Sequence, residues 1–302
     1  MRLANGRLDG HEQLWWVTEQ GLLRVSYVAV LRGQGDSEWT MERYLADQDN
    51  ARDLLQSWAE WARNNGVVTD RLPDEMLAPV TQPGKILCVG LNYRPHARES
   101  HLEIPKDSVL FNKYCNAVVG SEYVVHPPAD AQQMDYEAEL VVITGRRAVK
   151  VAESDALRYV AGYCNGNDLS AGNDLSARDL QFRTSQWLLG KAADGFGPMG
   201  PYLVTPDEIR DPNQLEIVCR RNGVAVQHSN TRHMIFSCAY LISYISRYMT
   251  LEPGDAIFTG TPEGVVLGHP ESERQWLTAG ETVSVSIEGL GELITPIGNW
   301  KE

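Results

Sequence analysis

The chain has 302 residues, 43% of them hydrophobic and 22% charged, a globular composition that excludes disorder throughout. At roughly 150 residues per domain it holds one large domain or two unequal ones. Twenty-seven Lys and Arg stand against 40 Asp and Glu, and the formal charge of −13 argues against nucleic acid or an anionic membrane as partner, while tolerating a metal cation.

The opening residues, MRLANGRLDG, contain no apolar run of the secretory type, and no stretch of about 18 apolar residues occurs, so a soluble cytoplasmic protein is expected. The cysteines (Cys88, Cys115, Cys164, Cys219 and Cys238) form no CxxC pair, which predicts reduced, mostly buried thiols rather than a zinc site. Residues 14–31 alternate apolar and polar in pieces broken by Gly21, which predicts a short antiparallel strand pair. Residues 41–65 place Leu45, Leu54, Leu55, Trp58, Trp61 and Ala62 mostly on one helical face, with Gly66 as a C-terminal stop. Prolines 73, 79 and 83 mark an extended connector, giving a small strand–helix domain over 1–82 and a larger, catalytic one over 83–302.

Beyond the connector the texture is short strands punctuated by glycine and proline. Strands are predicted at 85–90, 108–114, 138–144, 159–164, 202–205, 215–221, 224–228, 255–260, 282–289 and 292–297. Asn222-Gly223 is a two-residue hairpin signal. Only two helices interrupt, at 153–158 and 234–249, too few for a doubly wound sheet. The fold class is therefore α+β, β-rich, with a mixed sheet.

Several constellations carry chemistry. In DYEAELVV, Glu137 and Glu139 share one strand face, about 6–7 Å apart along the chain. Such a pair ordinarily faces solvent at a strand edge; a bridging cation is the alternative. The hexapeptide GNDLSA occurs at 166–171 and again at 172–177, a local duplication too short for a repeat architecture. Asp174, in the second copy, would complete a three-carboxylate set, and all-oxygen ligands suit Mg²⁺ or Mn²⁺. His96 and Glu99 lie three apart on a short helix, either a surface pair or a carboxylate-oriented general base. Lys191 is the only cation in its stretch. Thr259-Gly260-Thr261-Pro262-Glu263-Gly264 offers hydroxyl donors and backbone that a ligand can approach closely.

Taken in order, KILCVGLNYRPHARES, FNKY, DYEAELVVI, AGYCNGNDLS with SARDLQF, GKAADGFGPMGPYLV, RNGVAVQHSNTRHMIF, TLEPGDAIFTGTPEGV and VSIEGLGEL span residues 84–292. With these segments the chain resembles the fumarylacetoacetate hydrolase family, its shorter acylpyruvase, oxaloacetate decarboxylase and dienoate isomerase branch. The resemblance implies a β-roll-like mixed sheet, a homodimer, and a divalent ion held by Glu137, Glu139 and Asp174. It implies substrate contacts from Arg178, Gln181, Lys191 and Thr261, and a catalytic lid bearing His96 and Glu99. Because of the extra GNDLSA, Asp168 competes for the ligand position given to Asp174; the spacing of Asp174 to Arg178 and Gln181 keeps the family pattern. Gly264-Val265-Val266 departs from the family's usual Gly-Val-Gly. The implied activity is metal-dependent hydrolysis of a C–C bond in a small 2,4-dioxo acid through a pyruvate enolate. Oxaloacetate decarboxylation and keto–enol isomerisation need the same enolate.

Overall fold

A computed structural model describes residues 1–35, 38–99, 103–170 and 186–300. In chain order the elements are β1 (Arg2–Leu8), β2 (His11–Thr18), β3 (Gly21–Arg24), α1 (Val25–Leu31), α2 (Met41–Ala46), α3 (Gln48–Asn64), β4 (Glu75–Met76), β5 (Ile86–Gly90), α4 (Arg94–Glu99), β6 (Val109–Lys113), β7 (Val118–Val119), β8 (Ala138–Thr144), β9 (Val160–Asn167), α5 (Leu188–Lys191), β10 (Gly197–Val204), β11 (Glu216–Arg221), β12 (Val224–Asn230), α6 (Cys238–Ser246), β13 (Ala256–Phe258), β14 (Thr282–Ile287) and β15 (Glu292–Pro296). The large sheet runs β3-β2-β1-β10-β9-β8-β13-β5-β6, with β4 added on β1 and β7 on β10; a second sheet runs β12-β11-β14-β15. Both parallel and antiparallel pairs occur, parallel between β13 and β5 and antiparallel between β8 and β9. The architecture is α+β, dominated by sheet.

All ten strands predicted beyond residue 84 are present, and Asn222 and Gly223 turn the β11–β12 hairpin with φ of 51° and 82°. Three local readings are corrected. Residues 25–31 form helix α1, not a strand, and bury Val25, Ser26, Val28 and Ala29. The β-branched alternation of VSYVAVL mimics a strand, but the i, i+3, i+4 positions face the core. The helix over 41–65 is two helices, because Asp47 leaves helical geometry at φ −141°; Leu54 of the second is exposed while Leu55, Trp58 and Ala62 are buried. The segment 234–249 is helical only from Cys238, capped by the Ser237 side chain accepting from the Tyr240 N–H.

Strand β1, which the sequence did not announce, joins the N-terminal hairpin to β10 through Arg2↔Val204 and Leu3↔Leu203. Strand β8 is buried along its whole length. Ala138, Leu140 and Val142 belong to one core, with β14 and α6 side chains. Val141 and Ile143 belong to a second, shared with Leu3, Trp16, Trp58 and Phe258. The five cysteines are free, and all but Cys115 are buried. Among the described residues no helix is long and apolar enough to cross a membrane.

Candidate metal centre and active site

Strand β8 places Glu139 among buried apolar neighbours, and β9 brings Asp168 beside it. The register Ala138↔Asn167 and Glu139↔Gly166 fixes that approach. It is pinned further at the strand end, where Asn167 Oδ1 accepts from the Glu137 N–H at 3.1 Å and the Glu137 carbonyl accepts from the Asp168 N–H at 2.9 Å. Glu137, Glu139 and Asp168 are all buried, and one carboxylate oxygen of each lies within 4.8 Å of the others. The ordinary expectation of a solvent-facing strand edge is thus overturned. Burial pushes the Glu139 carboxyl well above its usual range, and the charges of Asp168 and Glu137 push it further. The Gly260 N–H, donating to Glu139 Oε2 at 2.7 Å, works in the opposite direction.

Two buried lysines answer the three acids. Lys191 Nζ, on the four-residue α5, lies 2.9 Å from Glu137 Oε2 and 2.8 Å from Asp168 Oδ2. It also sits 5.3 Å from the centroid of the Phe111 ring. Lys113 Nζ lies 2.6 Å from Asp168 Oδ1 and donates to the carbonyls of Leu169 at 3.2 Å, Phe196 at 2.8 Å and Lys191. Lys113 escaped the sequence reading as a site residue. It lies in the quoted FNKY segment, but only the tertiary fold shows that its ammonium is inside.

The loop after β13 ties this cluster to the imidazole. Gly260 holds Glu139; four residues on, the Gly264 N–H donates to the Glu99 carboxylate at 3.1 Å. Glu99 Oε2 in turn lies 3.2 Å from His96 Nδ1, and His96 is buried. The His96–Glu99 pair is therefore a held dyad and not a loose surface pair. Between the two glycines, Thr261 is 5% exposed, and its Oγ1 accepts from Gln227 Nε2 at 3.0 Å. Asp135 anchors the far end of the loop, accepting from the Val266 N–H at 2.8 Å and the Leu267 N–H at 3.1 Å.

Of the sequence-predicted residues, Glu137, Glu139, Lys191, Thr261, His96 and Glu99 are brought into this one region. Asp174, Arg178 and Gln181 lie outside the described residues. The described third acid is Asp168, from the first GNDLSA copy. An all-oxygen set of three buried carboxylates fits a hard divalent cation, which would relieve the repulsion that raises Glu139.

The family described as fumarylacetoacetate (FAA) hydrolase C-terminal matches residues 85–298. The chain belongs to the fumarylacetoacetate hydrolase family. It is 41% identical over 245 residues to a mitochondrial oxaloacetate tautomerase (fahd2) of Xenopus laevis, covering 80% of this chain and 74% of that one. Among solved structures, a Mycobacterium smegmatis protein with the provisional designation HpcE is 36% identical at a TM-score of 0.80, covering 100% of both chains. A maleylpyruvate hydrolase from Sphingobium sp. SYK-6, solved with manganese(II) and pyruvate, is 27% identical at a TM-score of 0.77, again over 100% of both chains. The fold is thereby shared along the whole chain, and the family match covers residues 85–298.

Proposed function

We propose that this family member is a divalent-metal-dependent enzyme that interconverts the keto and enol forms of a small 2-oxo diacid such as oxaloacetate. The observation that carries this reading is the loop that binds Glu139 through Gly260 and Glu99 through Gly264, coupling an acid cluster to an oriented imidazole. The tautomerase name of the Xenopus relative supports the substrate class. Glu137, Glu139 and Asp168 would hold Mg²⁺ or Mn²⁺, which when bound supplies Lewis-acid polarisation of the 2-oxo oxygen.

The chain's own residues do the rest. Glu99 accepts from His96 Nδ1–H, which leaves Nε2 as the base. Nε2 takes a proton from C3; the C–H pair becomes the C2–C3 double bond, the carbonyl pair moves to the 2-oxo oxygen, and the imidazolium returns its proton to that oxygen, giving the enol and the free base. Lys191 and Lys113 offset the negative charge of acids and substrate together. Thr261, with Arg178 and Gln181, contacts the substrate.

A second reading is C–C hydrolysis of an acylpyruvate, in which the same imidazole activates water against the distal carbonyl. The manganese- and pyruvate-bound maleylpyruvate hydrolase favours it. One assay separates them: loss of the enol absorbance of oxaloacetate, run beside pyruvate release from oxaloacetate and from an acylpyruvate panel, each with Mg²⁺, Mn²⁺ or EDTA. Metal-dependent enol decay without pyruvate supports the tautomerase. Pyruvate from acylpyruvates alone replaces it with the hydrolase, and pyruvate from oxaloacetate replaces it with a decarboxylase. His96→Gln should lower the observed activity at least about 100-fold; an unchanged rate removes the base from His96.

A further inference from the structure

The β11–β12 hairpin stands largely in solvent, with Val224 67% exposed and Ala225 and His228 also exposed, yet it sends one buried amide inward. Gln227 is 2% exposed. Its Oε1 accepts from the Ala138 N–H at 3.0 Å, between Glu137 and Glu139 in sequence. Its Nε2 faces three oxygens: Thr261 Oγ1 at 3.0 Å, the Pro262 carbonyl at 2.9 Å and the Glu263 carbonyl at 3.3 Å. A backbone N–H can only donate and a carbonyl can only accept. The amide therefore has one allowed orientation, with oxygen toward Ala138 and nitrogen toward the threonine loop.

That orientation decides the neighbour's polarity. Thr261 Oγ1 must accept from Gln227, so its own proton points elsewhere. Thr261 makes no other side-chain hydrogen bond among the described residues. Its chain neighbour Gly260 donates to Glu139, so Thr261 lies one residue along the loop from the acid cluster. We infer that Gln227 is a positioning residue that directs the Thr261 hydroxyl proton toward the substrate, making Thr261 a donor to an anionic substrate oxygen. This rests on the reading that Thr261 contacts the substrate. A carboxylate or enolate oxygen only accepts, and so matches the hydroxyl in this state.

Gln227→Glu reverses the device with almost no change of shape. The Ala138 N–H keeps an acceptor, but a carboxylate has no proton for Thr261 and takes that of the hydroxyl instead, turning lone pairs toward the substrate. The test compares the wild type, Gln227→Glu, Thr261→Val and the double variant with oxaloacetate across pH, with a thermal melt of each. The expected result is a KM raised about tenfold in each single variant, the worth of one hydrogen bond to a charged group, with kcat changed much less. The double variant should be no worse than Thr261→Val. The Gln227→Glu defect should shrink at low pH, where a protonated carboxyl donates again. A folded Gln227→Glu protein with wild-type KM, or defects that multiply in the double variant, overturns the inference and leaves the Thr261 contact standing. Wild-type kinetics in Thr261→Val overturns the contact itself. Should Gln227→Glu not fold, Gln227→Met removes the donor without adding charge and carries the same coupling test.

Discussion

Asp168 meets both buried ammonium groups, Lys113 at 2.6 Å and Lys191 at 2.8 Å, while sharing its site with two more carboxylates. The residue pattern alone could not select it, because GNDLSA supplies the same side chains twice and the downstream spacing favoured Asp174. What separates the copies is the upstream neighbour. Asn165 donates to the Gly200 carbonyl at 3.0 Å and accepts from the Ile287 N–H at 2.8 Å. Sliding β9 by six residues would put Ala171 there, with neither bond. Asp168→Asn should therefore abolish the thermal shift given by Mg²⁺ or Mn²⁺, about 2.7 kcal/mol at a hundredfold excess over Kd, together with activity. Asp174→Asn should keep the shift. A thermal melt with and without metal decides, and the reverse outcome moves the ligand to the second copy. Lys113 makes a separate prediction. Its loss leaves Lys191 as the one described ammonium on Asp168, beside Glu137 and Glu139, and takes a donor from three carbonyls. Lys113→Met should cost about 3–5 kcal/mol in chemical denaturation of the metal-free protein. A cost below about 1 kcal/mol would mean that its charge is not needed to hold the acids together.

Most strands were legible because their signals are local: β14 alternates with period two, while β5 and β8 are short apolar runs closed by a glycine, Gly90 and Gly145. Strand β1 was not, since RLANGRL interleaves Asn5, Gly6 and Arg7 among its apolar residues, and its pairing with β10 joins Arg2 to Val204, about two thirds of the chain away. Gln227 was invisible as a site residue for the same reason: its burial is made by a loop 34 residues away in sequence. The dyad was legible from i, i+3 spacing, but what holds it was not. Glu99 is held against the loop after β13 by the Gly264 N–H and packs on Gly268, where a methyl group would lie 2.4 Å from Glu99 Cδ. Gly268→Ala should thus displace the carboxylate from His96 and Gly264 without touching the metal ligands. Because the clash falls on the end of a flexible side chain, the stability cost should stay near 1 kcal/mol while kcat falls about tenfold or more. Equal melting and equal kcat would show that the Glu99 position does not govern the imidazole.

The molecule as a whole must fold around three acids that repel one another, and its stability should report the state of Glu139. A glutamate ordinarily titrates near about 4.3, and burial with two neighbouring carboxylates raises Glu139 well above that in the folded protein. In the window between the two values the folded chain holds a proton that the unfolded chain has lost. Stability from this group is then fully present below the unfolded value and declines as pH rises through the folded one. A divalent cation acts in the opposite sense, because it displaces that proton and favours the ionised form. The melting temperature of the metal-free protein should accordingly fall with rising pH above about 4.3, and the gain on adding Mg²⁺ or Mn²⁺ should grow over the same range. Other groups titrate there too, so the informative quantity is the difference from Glu139→Gln, which keeps the shape and removes the titration. That variant should show a flatter metal-free profile and no metal-dependent gain. A wild-type profile that runs parallel to it, with or without metal, would place the ionisation of Glu139 outside both folding and metal binding.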